Sequence, residues 1–172
     1  MFKGNYFSRN RDMQNTLSEI QNQFFAELNK DTEATCPCCH RYAKIYKRTL
    51  HKTIIKQLLS LYNAGGDDHY IHSLKFNTET TSGKDFGIAE YWGLIKRYEN
   101  TNSTTKTSGM WMLTNKGILF LRGEMVIPKW VYIWNGKPLN FSQEVINIKD
   151  IHSEFNYREM MGERVLGIIN NN

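Results

Sequence analysis

The stretch TCPCCHRYAKIYKR, Thr35 to Arg48, holds all three cysteines of the 172-residue chain and then runs basic with no acidic residue. Cys36 and Cys39 form a C-x2-C pair with proline second, the form of a zinc knuckle. In a knuckle a tight turn brings two thiolates to one metal while backbone N–H groups point at sulfur. Tetrahedral zinc needs two more ligands. His69 and His72 are the expected pair, because a turn or helical bend between them aims both imidazoles the same way, whereas a regular strand does not. Cys38, His40 and His51 are the alternatives. A redox role for C-x2-C requires a helix starting at the first cysteine within a βαβ pattern, and the charged, alternating stretch after Cys39 offers neither. Plain buried thiols are the remaining reading. The residues favour structural zinc held by Cys36, Cys39, His69 and His72.

Behind the cysteines, Arg41, Lys44, Lys47, Arg48, Lys52 and Lys56 interleave with Tyr42 and Tyr46. Cations and rings together suit a phosphate backbone, the charges releasing counterions and the rings stacking on bases. The plain alternative is a solvated face. The net charge of +5 is unevenly spread: residues 36 to 56 carry six basic and no acidic side chains, and residues 101 to 137 carry five against one. If folding brings these stretches to one side, they make a footprint for a polyanion.

These residues need elements to position them. Met13, Leu17, Ile20, Phe24 and Leu28 recur at three and four, which predicts an amphipathic helix from Asp12 to Asn29. Its stripe lies on the chain's own core, or on a second copy in a homodimer. Arg41 to Arg48 alternates like a strand, with Ala43 and Ile45 inward and Lys44, Tyr46 and Arg48 outward. A second helix is predicted from Leu50 to Tyr62, burying Ile54, Leu58, Leu61 and Tyr62 and stopped at Gly65-Gly66. A third is predicted from Lys84 to Trp92, capped by Thr81 or Ser82 and stopped by Gly93. Then follow a strand at 94 to 99, a polar loop, a strand at 110 to 113, and a short helix from Asn115 to Leu121 capped by Thr114 and ended by Gly123. Asn135-Gly136 between Trp130–Trp134 and Lys137–Phe141 predicts a type I′ hairpin. The last segment, from Ile148 to Ile169, reads as short helices.

Helix, strand, polar loop, strand is the arrangement of a helix-turn-helix with a wing. The stretch EYWGLIKRYENTNSTTKTSGMWMLTNKGILFLRG resembles winged-helix proteins, through Gly93-Leu94-Ile95 after the helix and Leu113-Thr114-Asn115-Lys116-Gly117 after the wing. The resemblance spans roughly residues 50 to 123. It implies duplex binding, with the third helix in the major groove and the wing along the backbone. The outward positions of that helix, Lys84, Asp85, Gly87 and Glu90, offer little to a guanine edge. Lys96, Arg97 and Lys106 suit phosphate better. The order of CPxC, RYAKIYKR, YWGLI, the Thr-x-x-Gly helix, IPKWV and an Asn-Gly hairpin is similar to a family of small bacteriophage proteins, over most of residues 36 to 161. That resemblance implies action in the host cytoplasm and brings no catalytic residues with it.

Other features carry less. Ser82-Gly83-Lys84 lacks the earlier glycine and the following hydroxyl of a nucleotide loop. Trp130, Tyr132 and Trp134 share a strand face, which favours cross-strand packing over a base-stacking platform. Asp67, Asp68 and His69 sit in a glycine-rich turn and read as solvated before catalytic. No run of 18 apolar residues and no signal peptide is seen, so a cytoplasmic protein with no membrane partner is expected. The sequence therefore predicts an α+β protein. Residues 1 to 48 form an N-terminal helix and zinc-knuckle-like segment, 49 to 123 a winged-helix core, and 124 to 172 a hairpin and C-terminal extension. It is expected to bind nucleic acid, chiefly through phosphate, and not to be an enzyme. The alternative class is an adaptor or inhibitor that binds a host protein.

Overall fold

The computed structural model describes residues 6–76, 85–99, 109–154 and 156. The fold is mixed α+β with small sheets. Two compact units divide the chain. The knuckle unit comprises Met1–Lys47 and Tyr132–Leu139; the core unit comprises Arg48–Val131 and Asn140–Asn172.

In the core unit, α2 (Lys52–Asn63) buries Ile54, Leu58, Leu61 and Tyr62, as the periodicity predicts, and also Ile55 and Leu59. The buried arc is thus wider than one stripe. Lys52 and Lys56 stay on the exposed side. Gly65, at φ 92°, closes the helix in a conformation that glycine adopts without strain. β4 (Ile71–His72) follows. The segment Phe86–Trp92 is a 3₁₀ helix with Gly93 as its left-handed C-cap at φ 69°, where the sequence predicts an α-helix. The buried residues, Phe86, Ala89 and Trp92, are spaced by three, and three residues per turn eclipses them on one face. The proposed caps Thr81 and Ser82 lie outside the described residues.

β5 (Ile95–Arg97) pairs antiparallel with β6 (Met110–Leu113), setting Ile95 opposite Leu113 and Arg97 opposite Trp111. β6 also pairs antiparallel with β4, setting Ile71 opposite Trp111. The order is β4-β6-β5. Lys106, in the polar loop, lies outside the described residues.

The two glycine-containing motifs prove to be one joint. The Thr114 hydroxyl donates to the Gly93 carbonyl at 2.6 Å and accepts the Gly117 N–H at 3.1 Å, capping α3 (Asn115–Leu121) as expected. The Thr114 N–H donates to the Leu94 carbonyl at 3.0 Å. A Cβ on Gly117 would stand 2.1 Å from that same oxygen. Only glycine lets the helix approach so closely.

β7 (Ile127–Pro128) and β10 (Val145–Ile146) pair antiparallel. Asn147 then caps α4 (Ile148–Ile151), accepting the Lys149 N–H and donating its own N–H to Asp150. Beyond α4, residues 152–154 and 156 of the predicted segment are not helical, and its remaining residues lie outside the described ones. Trp92, Leu94, Leu113, Phe120, Ile127 and Ile148 fill the core. The Trp92 indole N–H donates to the Pro128 carbonyl at 2.7 Å, so its buried polar atom is satisfied.

In the knuckle unit, α1 (Tyr6–Asp31) runs longer than predicted and packs on β1 (Glu33–Thr35). Its stripe is covered unevenly. Leu28 is buried, Ile20 and Phe24 are half-buried, and Leu17 is 52% exposed. β1 pairs antiparallel with β2 (Tyr42–Lys44), and β3 (Tyr46–Arg48), β8 (Val131–Trp134) and β9 (Lys137–Phe141) form a sheet in the order β3-β8-β9, of which residues 46–47, 132–134 and 137–139 belong to this unit. The single strand predicted over 41 to 48 is thus two strands in two sheets. They part at Ile45, whose N–H donates to the Thr32 carbonyl at 2.7 Å. Asn135 at φ 49° and Gly136 at φ 74° make the expected turn of the hairpin. No helix among the described residues is long and apolar enough to cross a membrane.

Gly117→Ala should destabilise the protein by about 3 kcal/mol, since the Leu94 carbonyl is main chain and cannot step aside locally. Thr114→Ala should cost about 1 kcal/mol through the lost cap. The exposed neighbour Lys116→Ala should stay within about 0.5 kcal/mol. Urea unfolding followed by tryptophan fluorescence measures all three. Equal effects for Gly117→Ala and Lys116→Ala would contradict the joint.

Candidate nucleic-acid interface

The turn between β1 and β2 organises the knuckle unit. The Cys36 N–H donates to the Arg41 carbonyl at 2.9 Å, and the His40 N–H donates to the Cys36 carbonyl at 2.8 Å. His40 closes the turn at φ 56°, a left-handed conformation in which histidine is over-represented among non-glycine residues. Inside this turn the backbone N–H groups of Cys39 and Cys38, and the thiols of both, favour the charged form of Cys36. These contacts, led by the Cys39 N–H, hold the Cys36 thiol below its ordinary pKa, because they favour the thiolate. The C-x2-C stretch is therefore a tight turn whose Cys36 N–H and carbonyl are both engaged by the main chain.

The other expected ligands belong to the core unit. The His72 Nδ1 accepts the Leu74 N–H at 3.2 Å, and the His69 Nδ1 stands 4.0 Å from Asp68. His51 is the exposed residue before α2. Among the described residues, no group of three or more His, Cys, Asp or Glu side chains is gathered to hold a metal ion.

Register explains the charges around the turn. Glu33 lies directly opposite Lys44 across β1 and β2, and Tyr42 shares a strand side with Lys44. Lys44 donates to the Glu33 carboxylate at 3.3 Å, and the Tyr42 hydroxyl donates to the same oxygen. The Tyr42 bond first, and then Lys44, holds Glu33 below the usual carboxylate range. Glu33 in turn raises both the Tyr42 phenol and the Lys44 ammonium.

A groove of about 420 Å³ opens beside this trio. Phe24 of α1, Tyr42 of β2, Tyr46 of β3 and Trp134 at the hairpin tip supply its rings; Arg41 and Lys44 supply its cations. Cys36, Ala43 and Asn135 complete the wall. Trp134 is held edge-on by Phe25, with centroids 5.5 Å apart, and Lys47 lies 6.0 Å over the Tyr132 ring. The groove thus combines apolar faces for flat groups with positive charge for anions.

The predicted basic residues divide between the units. Arg41, Lys44 and Lys47 belong to the knuckle unit, and Arg48, Lys52, Lys56, Lys96 and Arg97 to the core unit. Several already have partners. Lys52 pairs with Glu154 at 3.1 Å, Arg97 stacks 4.6 Å over Trp111 and reaches Glu90 at 3.8 Å, and Lys96 lies over Tyr70. Sequence reasoning missed Phe24 and Asn135 as groove residues and ranked packing above base stacking for Trp134. The inward residues of β8 are Val131 and Ile133, so Trp134 and Tyr132 lie on its less buried side. A stripe of aromatic residues alternating with aliphatic ones was the available signal. No family model, curated protein or solved structure matches the chain.

The Glu33 trio fixes a pH dependence. Glu33 has a depressed folded pKa, so its contribution is present above the unfolded carboxylate pKa and is lost as pH falls through the lower folded value. The Tm difference between wild type and Glu33→Gln should therefore be largest near neutral pH and shrink below about pH 4. A difference that stays constant down to pH 2 would contradict it.

Proposed function

We propose that this protein binds nucleic acid, with the knuckle-unit groove taking an exposed base and its cations holding the adjoining phosphates. One observation carries the reading: four aromatic residues and two cations converge on one open groove beside the knuckle. Base stacking on such rings is sequence-tolerant, so the protein should select single strands over particular sequences. We further propose a winged helix for the core unit. The order β4-β6-β5, with α2 preceding and the 3₁₀ helix entering β5, supports it. That helix buries Phe86, Ala89 and Trp92 and turns Asp85 and Glu90 to solvent, which favours backbone contact over base reading. In line with the resemblance to small bacteriophage proteins, the proposed setting is the host cytoplasm. The second reading, a protein-binding adaptor, draws on the exposed apolar residues Leu17 and Phe25 of α1.

Binding of a fluorescent single-stranded oligonucleotide, read by anisotropy across salt, separates the two. Contacts to about two phosphates, by Arg41 and Lys44, give a slope of log K against log salt near −1.4. Arg41→Gln should reduce its magnitude by about 0.7. Trp134→Ala should weaken binding by about 1–3 kcal/mol, roughly 5- to 150-fold, through lost stacking. Absence of binding at low salt would overturn the proposal and favour the adaptor.

A further inference from the structure

We infer that Tyr42 and Lys44 form an oxyanion cradle that Glu33 fills in the free protein and yields to a phosphate of the ligand, so that Glu33 is a built-in competitor for the groove. The inference rests on the nucleic-acid reading above and adds what the ligand must displace. Two donors already converge on one oxygen: the Tyr42 hydroxyl and the Lys44 ammonium, the latter at 3.3 Å, both meet Glu33 Oε2. The strands fix this arrangement, because Glu33 lies directly opposite Lys44, and Tyr42 shares a strand side with Lys44. Tyr42 and Lys44 line the groove, whereas Glu33 is not among its described lining residues. The protein's own carboxylate therefore holds, from beside the groove, two donors that an entering phosphate needs.

Distance and exposure make the contact exchangeable. At 3.3 Å the Lys44 bond is longer than a tight charge-assisted one, at about 2.7–2.9 Å. Both members of the ion pair are open to water, Lys44 at 44% and Glu33 at 50%, where such pairs are weak. The cradle nevertheless suits an anion: Tyr42 first, then Lys44, holds the Glu33 carboxyl below its usual range, because both donors favour a charged oxygen. An internal phosphodiester carries the same single charge as a carboxylate, so charge alone leaves the exchange near even. Stacking decides it. The base attached to the phosphate gains the groove's rings, and the carboxylate brings nothing comparable. Arg41, exposed on the same groove, holds the adjoining phosphate.

Anisotropy of a fluorescein-labelled hexathymidylate at low salt tests this in the full chain. Glu33→Gln should bind about 2- to 5-fold tighter than wild type, the span over which exposed ion pairs act. Its salt slope should stay unchanged, because the same phosphates are held. In a Lys44→Gln background the same change should lose most of that gain. Glu19→Gln, an equal change of charge at an exposed position of α1, should gain less. A second measurement needs no variant: titrated by carboxyl-carbon NMR in wild type, Glu33 should move up toward the ordinary carboxylate pKa when the oligonucleotide binds, since Tyr42 and Lys44 let go. Unchanged or weaker binding by folded Glu33→Gln, a full gain in the Lys44→Gln background, an equal gain from Glu19→Gln, or a Glu33 pKa unmoved by binding would each overturn the inference. Any of these with wild type still binding removes the inference alone; no binding by any variant removes the reading beneath it as well.

Discussion

The knuckle unit depends on how the backbone reverses between Cys36 and Arg41. Two main-chain bonds, Cys36 N–H to Arg41 carbonyl and His40 N–H to Cys36 carbonyl, fix the reversal. Everything around them follows. The reversal aims two N–H groups at the Cys36 sulfur, sets the β1-β2 register that brings Glu33 opposite Lys44, and presents Arg41 and Tyr42 to the groove. Because the turn needs a positive φ at His40, its backbone is strained at a non-glycine residue, a feature that concentrates at functional sites.

The core unit rests on a different constraint, the close approach of α3 to Leu94. Thr114 and Gly117 act together there: the hydroxyl joins the cap to the Gly93 carbonyl, and the missing side chain lets Leu94 come within reach. The motif Leu-Thr-x-x-Gly thus has a mechanical meaning in this chain, independent of any resemblance. Charges in this unit are largely engaged with neighbouring acids and rings, as at Lys52, Lys96 and Arg97, just as Lys44 is with Glu33 in the other unit. Such exposed pairs contribute little stability, about 0–1 kcal/mol each, yet they lower the charge offered to a polyanion.

Features set by local chemistry were legible in the sequence. Asn135-Gly136 specifies its turn because both residues tolerate positive φ, Thr114 specifies a cap because its hydroxyl reaches the third N–H, and α2 shows its buried side through spacing. Features set by distant partners were not. The break at Ile45 depends on Thr32, and the groove depends on Phe24 and Trp134, far apart in the chain. The face of β8 was ambiguous because aromatic and aliphatic residues alternate, so both sides read as apolar. The third helix misled because spacing of three and spacing of three-and-four coincide over so few residues.

Where a ligand touches the surface tests the central claim most directly. Amide and indole chemical shifts of the reduced protein, recorded with and without a short single-stranded oligonucleotide, report that position. The largest changes are expected at Arg41, Tyr42, Lys44 and the Trp134 indole. Changes confined to Lys52, Lys56, Lys96 and Arg97, with the groove silent, would contradict it.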